Sequence, residues 1–272
     1  MLPMNAWRLI RSSLVVVVVA VFVGSCGSDN KSSSSQTTTP VAAVDSTAAS
    51  ATTADDSASA DVQDRTFTSA DGTVIDYVLL VPPGRVAGQA GKVLFTFPPG
   101  GQDLDLTRRI VESKWHDEAL ARGWVVASPA APSTGLFYSD KSARLVPELL
   151  DAIAKDYPPE GGRFDLAGVS NGGLSAFKAA LSYPERFRSL VVFPGYSEGG
   201  GDDPNLSKLK DIGVSMFVGG EDSGWRTPSE LTEKTLKGLG YTVELHVIAG
   251  EGHIIGPLTG ADLFDAIERV RA

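Results

Sequence analysis

Of 272 residues one is cysteine, three are histidine and three are methionine. A single thiol cannot close an intramolecular disulfide, so stability in an oxidising compartment must come from the domain's own core. Three histidines leave few candidates for acid–base chemistry near neutral pH. Basic charge is also scarce: 24 Lys and Arg stand against 33 Asp and Glu, a formal net charge of -9. A surface that binds nucleic acid needs a positive field to release counterions, so no nucleic-acid partner is expected. No spacing of His, Cys, Asp or Glu suggests a catalytic metal, and Asp202-Asp203 is too little for a calcium site, so neither metal nor cofactor is expected.

What is present begins with an export signal. Arg8 and Arg11 precede an apolar run from Leu14 to Val23, too short to span a bilayer comfortably, and the small residues Gly24 and Ser25 lead to Cys26. The segment Val23-Gly24-Ser25-Cys26 resembles the lipobox of bacterial lipoproteins, which implies cleavage after residue 25, lipidation of Cys26 and a place on the outer face of a bacterial membrane. Residues 26–62 are mostly Ser, Thr, Ala and Asp, without an aromatic residue, and cannot bury enough apolar surface to offset the entropy of ordering. They are expected to be a tether, leaving 63–272 as one globular unit, a monomer that meets the membrane only through its anchor.

That unit opens on a hairpin pattern around Asp71-Gly72, Arg65 to Ser69 and then Val74 to Val81. Apolar runs follow at Val93 to Phe97 and Trp124 to Ala127, and strand-like segments at Phe164 to Ala167, Ser189 to Phe193, Val214 to Val218 and Tyr241 to Val247. Helical spacing appears at Leu106 to Arg122, Ala143 to Tyr157, Gly173 to Tyr183, Pro228 to Leu239 and Ala261 to Val270, with a short helix around Leu206 to Lys210. Such alternation predicts an α/β fold, a mostly parallel central sheet with helices on both faces. The interval from Phe193 to Val214 is too short for a cap domain. Functional residues should follow the carboxyl ends of the strands.

Two segments fit Gly-x-Ser-x-Gly, centred on Ser170 and Ser197. A nucleophile elbow needs a strand running in and a helix running out. Ser170 has both. Ser197 runs instead into Gly199-Gly200-Gly201-Asp202-Asp203-Pro204 and reads as structural or as part of the rim. A serine hydroxyl also needs a base within reach. His116 falls inside a helical pattern and His246 within a strand, whereas His253 follows the last strand in a glycine-rich turn. The acid should lie between serine and histidine in the chain, and after Val218 come Glu221 and Asp222, with Asp222 preferred and Glu221 the alternative. Oxyanion donors are expected from the Asn171 N–H and from Gly100 or Gly101, since Pro98 and Pro99 have no N–H to give. The loop aromatics Phe137, Tyr138, Tyr196 and Trp225 are candidates to contact an acyl or aromatic group, with Tyr138, Tyr196 and Trp225 carried forward as substrate-binding residues.

The residues Val169-Ser170-Asn171-Gly172-Gly173, Gly100-Gly101-Gln102, Gly219 to Asp222 and Gly252-His253 together resemble the α/β-hydrolase family, in particular exported esterases related to polyhydroxybutyrate depolymerases and feruloyl esterases. One departure is that members often carry His-Gly where this chain has Pro98-Pro99. The resemblance implies a small-molecule or polymeric ester as substrate and hydrolysis through Ser170. A cell-envelope acyltransferase would use the same triad and be told apart by acceptor-dependent product. A binding module on a hydrolase scaffold would hold the fold without turnover.

Overall fold

The computed structural model describes residues 61–271; the expected export signal, Cys26 and nearly all of the expected tether fall outside them. The described chain opens with β1 (Val62–Thr68) and β2 (Val74–Leu80), an antiparallel hairpin. Its turn carries Gly72 at φ 83, a left-handed conformation that glycine adopts without a Cβ penalty. Val62, expected to close the tether, is instead buried and pairs with Leu80, so the folded unit starts one residue earlier than its composition suggested.

Six further strands complete one sheet: β3 (Val93–Phe97), β4 (Val125–Pro129), β5 (Phe164–Gly168), β6 (Phe187–Val192), β7 (Gly213–Gly219) and β8 (Val243–Ile248). The eight strands run in the order β1-β2-β4-β3-β5-β6-β7-β8. β2 meets β4 antiparallel, and every pairing from β4 to β8 is parallel. All residues of β3, β4, β5 and β7 are buried, as strands covered on both faces must be. The edge strand β8 is only partly covered.

Helices separate by face. The chain supplies α1 (Leu104–Ile110), a π-helical turn at Val111–Trp115, α2 (His116–Arg122), α3 (Asp140–Ala143), α4 (Val146–Asp156), α5 (Asn171–Ser182), α6 (Ser223–Gly238) and α7 (Gly260–Val270). Because strand side chains alternate between faces, Phe95, Phe97, Leu166 and Val192 join Leu149 and Ile153 of α4 and Phe177 of α5 in one core. Leu94, Ala167 and Val191 point the other way and join Trp115 with Phe264 and Ile267 of α7 in a second. Trp115 meets Phe193 and Phe264 edge-on, at centroid distances of 5.7 and 5.6 Å.

Between β6 and β7 the chain makes two 3-10 turns, Gly200–Asp202 and Pro204–Leu209, in place of a cap. Leu206 and Leu209 are buried, and the Gly201 carbonyl accepts a 2.7 Å hydrogen bond from Thr235 of α6. A Cβ on Gly201 would lie 2.8 Å from the Leu231 carbonyl oxygen, so this segment is held tightly against α6. It has no length left over to cover the strand ends.

The start of α7 gives a test of local stability. Thr259 accepts from the Asp262 N–H at 3.2 Å, and Asp262 accepts from the Thr259 N–H at 2.9 Å, a reciprocal capping box. Thr259→Ala should cost about 1 kcal/mol in denaturant unfolding. The Thr259 hydroxyl and N–H hold the Asp262 carboxyl below its ordinary value. A lowered carboxyl stabilises the fold above the unfolded-state value and loses that contribution as pH falls through the folded one. The stability gap between the wild type and Thr259→Ala should therefore narrow in acid; a gap that widens would contradict the assignment.

Candidate active site

β5 delivers the chain to a sharp turn. Ser170, between Val169 and the first residue of α5, has φ 56 and ψ -121, a conformation that costs a side-chain-bearing residue energy. Neighbouring backbones close in from three sides. A Cβ on Gly168 would stand 2.1 Å from the Gly172 carbonyl oxygen, one on Gly172 2.1 Å from that of Phe97, and one on Gly173 2.2 Å from that of Pro194. These three positions admit only glycine, which explains the Gly168, Gly172 and Gly173 spacing around the serine. The turn projects Ser170 at the carboxyl edge of the sheet with the N-terminus of α5 beneath it.

Two loops at the same edge bring the other groups to it. The loop after β7 and the loop after β8 interlock: Gly220 N–H donates to Ile248 O at 2.8 Å and Glu221 N–H to Glu251 O at 2.9 Å. A Cβ on Gly219 would lie 2.1 Å from Gly252 O, so the loops touch at backbone distance. The Glu251 carboxylate takes the Gly256 N–H at 2.9 Å and closes the turn that carries His253. Sequence reading gave Glu251 no part, because its work is done through a loop fold that spacing does not reveal.

The outcome is a relay of three side chains. Ser170 Oγ lies 2.7 Å from His253 Nε2, and His253 Nδ1 lies 2.7 Å from Asp222 Oδ2. A carboxylate can only accept, so Nδ1 carries the proton, Nε2 presents its lone pair, and the serine hydroxyl donates to it. The Asp222 side chain is 13 % exposed and the His253 side chain 42 %. The carboxylate is thus sheltered while the imidazole faces the opening. Of the two acids considered, Asp222 meets the imidazole; Glu221 is exposed and enters the site through its backbone N–H.

The loop after β3 faces the elbow. Asn171 Nδ2 donates to Gly100 O at 3.0 Å, and Gly100 has φ 58. Asn171 is the first residue of α5, so its backbone N–H has no partner within the helix. Gln102 N–H is taken by Pro99 O at 3.1 Å, whereas no hydrogen bond of the Gly100 or Gly101 N–H is found among the described residues.

The remaining aromatics divide. Trp225, in the first turn of α6, lies 4.9 Å from the His253 ring, and Tyr196 packs against Trp225 at 5.1 Å. Burial, then the charges of Glu198 and Asp222, raise the Tyr196 phenol above its ordinary value. Phe137 is a correction: it is fully buried, 5.1 Å from Phe97, because its loop folds back into the core. Tyr138, the next residue, is half-buried. Ser197 is fully buried with its hydroxyl on Asp203. Burial opposes the Asp203 charge, but hydrogen bonds from Ser197 and Asn205 outweigh it and lower its carboxyl. Ser197 is structural. His116 pairs with Asp117, and His246 stacks on Phe217, both away from the site. Among the described residues no group of three or more His, Cys, Asp or Glu side chains could hold a metal ion.

Comparison with known proteins agrees with this architecture. Superposition gives a TM-score of 0.61 with a thermostable esterase at 19% identity, covering 70% of this chain and 55% of that one. An S-formylglutathione hydrolase from Agrobacterium tumefaciens gives 0.60 at 19% identity, covering 76% and 94%. An acetyl xylan esterase from Aspergillus awamori gives 0.59 at 15% identity, covering 76% and 98%. At such identities the likeness shows the fold, that of the α/β-hydrolases. No match is found among curated protein sequences. The family model described as "Esterase: Putative esterase" matches residues 92–235, more than half of the chain, from β3 through most of α6. The chain therefore belongs to this esterase family, and its enzyme class is carboxylic-ester hydrolase.

Proposed function

We propose that the protein cleaves carboxylic esters through an acyl-enzyme on Ser170, with His253 as general base and then acid and Asp222 as the group that orients and stabilises the imidazole. The observation that carries this reading is the unbroken hydrogen-bonded line from Ser170 Oγ through His253 to Asp222, each step at 2.7 Å. His253 Nε2 takes the hydroxyl proton as Oγ adds to the ester carbonyl carbon. The oxyanion that forms is held by the Asn171 N–H and by the N–H of Gly100 or Gly101. Collapse of the tetrahedral intermediate returns the proton to the departing alcohol. Water then repeats the sequence, releasing the acid and freeing Ser170.

The absence of a cap between β6 and β7 bears on substrate choice. A methylene contributes roughly 0.8 kcal/mol only when it is buried, and an open cleft buries few of them. We expect small-molecule or polymeric esters with short or aromatic acyl groups, the latter resting against Trp225 and Tyr196. Kinetics across a panel of ester chain lengths should show activity declining as the acyl chain grows, and no jump in rate when substrate passes its solubility limit. A lag followed by a steep rise on emulsified long-chain triglyceride would contradict the open site. The enzyme would work as a monomer on the outer face of a bacterial membrane, tethered through lipid on Cys26. Cys26→Ser should then move it from the membrane fraction to the soluble fraction with its specific activity unchanged, whereas a variant retained in the membrane would mean an uncleaved anchor.

A further inference from the structure

Among the described residues two that are not glycine adopt a positive φ, Ser170 and Gln102, each at 56. The first is the elbow. The second ends the loop that faces it, and no part of the reaction described above uses it. Gln102 is fully buried, yet every hydrogen-bonding group of its side chain has a partner. Its Nε2 donates to Pro98 O at 3.2 Å and to Ser175 Oγ at 3.0 Å, while its Oε1 accepts from the Phe137 N–H at 3.1 Å. Because a carbonyl oxygen only accepts and a backbone N–H only donates, the amide has one orientation that fits. Its backbone is equally committed: its N–H goes to Pro99 O at 3.1 Å and its carbonyl accepts from Ala131 N–H at 2.7 Å.

The position of these partners gives the residue its meaning. Ser175 lies on α5, one turn after Asn171, and its hydroxyl donates to Asn171 O at 2.9 Å. Pro98 begins the loop that contains Gly100 and Gly101. Gln102 thus joins the two segments that each supply one oxyanion donor, and it does so from a buried site where an unmade hydrogen bond is costly. Two prolines at the head of the loop remove donors that could otherwise fix its course, which leaves side chains to hold it. Asn171 Nδ2 on Gly100 O provides a second tie at the loop's tip. We infer that Gln102, acting through Ser175, is a positioning residue that sets the spacing between the Asn171 N–H and the Gly100 and Gly101 N–H groups. The inference rests on the esterase reading given above and adds a residue to it.

The test uses Gln102→Met, close in volume but without hydrogen bonds, and Ser175→Ala, which cuts the link to α5 together with the hydroxyl's own bond to Asn171 O and leaves the loop's other bonds in place. Thr259→Ala serves as a control for stability loss, since its side chain bonds to Asp262 and to neither oxyanion segment. With p-nitrophenyl acetate, Gln102→Met should lower kcat about 100-fold with KM little changed, since a donor displaced by about 1 Å forfeits stabilisation that exists only in the transition state. Ser175→Ala should show a smaller loss in the same direction. Affinity for an alkyl boronic acid, which forms a tetrahedral adduct, should fall in proportion to kcat. If both variants keep wild-type kcat and boronate affinity below their melting temperatures, or change no more than Thr259→Ala does, Gln102 only supports the fold and the inference fails while the esterase reading stands. A wild-type protein that hydrolyses no ester overturns that reading and the inference with it.

Discussion

Ser170→Ala is expected to remove ester hydrolysis and fluorophosphonate labelling together, a loss on the order of a millionfold in kcat. The size follows from the arrangement: alanine leaves His253 Nε2 without the hydroxyl that lies 2.7 Å away, so no acyl-enzyme can form. Alanine also has the same difficulty with φ 56 as serine, so the substitution leaves the backbone problem unchanged and tests the hydroxyl alone. Ser197→Ala should leave both hydrolysis and labelling largely intact, because that hydroxyl is buried on the Asp203 carboxylate and has no hydrogen bond to an imidazole. Loss of labelling in Ser197→Ala with Ser170→Ala active would place the nucleophile at the wrong elbow.

Asp222→Asn should lower kcat by about ten thousandfold. An amide at this position can offer its NH2 to Nδ1, which favours the tautomer with the proton on Nε2, where it cannot accept from Ser170. It also removes the negative charge that stabilises the imidazolium formed as the serine attacks. Glu221→Gln should change kcat little. What Glu221 supplies is a backbone N–H to Glu251 O at 2.9 Å, and glutamine keeps it. Steady-state kinetics of the two variants separate the adjacent acids, and a large loss in Glu221→Gln with a small one in Asp222→Asn would reverse their roles.

Strands in the middle of the sheet were legible because burial on both faces writes a continuous apolar run. Val93 to Phe97 has the same bounds in sequence and structure for that reason. The ends of helices were less so. Pro228 read as a helix start, but α6 begins at Ser223, and the proline sits inside the helix. The bond it omits is the one to the carbonyl of exposed Gly224, which water can serve. The π-helical turn at Val111–Trp115 left no mark either, since its apolar spacing is that of an ordinary helix.

Within the site, strand-end position and chain order pointed to Ser170, Asp222 and His253, because the elbow and the two loops are local features. Contacts between distant loops were not legible. Glu251 and Gln102 act through partners that only the fold brings close, and Phe137 sat in a loop whose inward turn composition does not announce. Gln102 did leave one trace, its place immediately after Gly100 and Gly101, but residue type alone assigned it no task.

The central claim, that Ser170 is the nucleophile of this esterase, is tested most directly by mapping the residue that a fluorophosphonate modifies. The purified protein is inhibited with the probe, digested, and the adduct located by tandem mass spectrometry. The account predicts a single adduct on Ser170, formed in step with loss of ester hydrolysis; an adduct on Ser197 or another residue, or full inhibition without modification of Ser170, would contradict it.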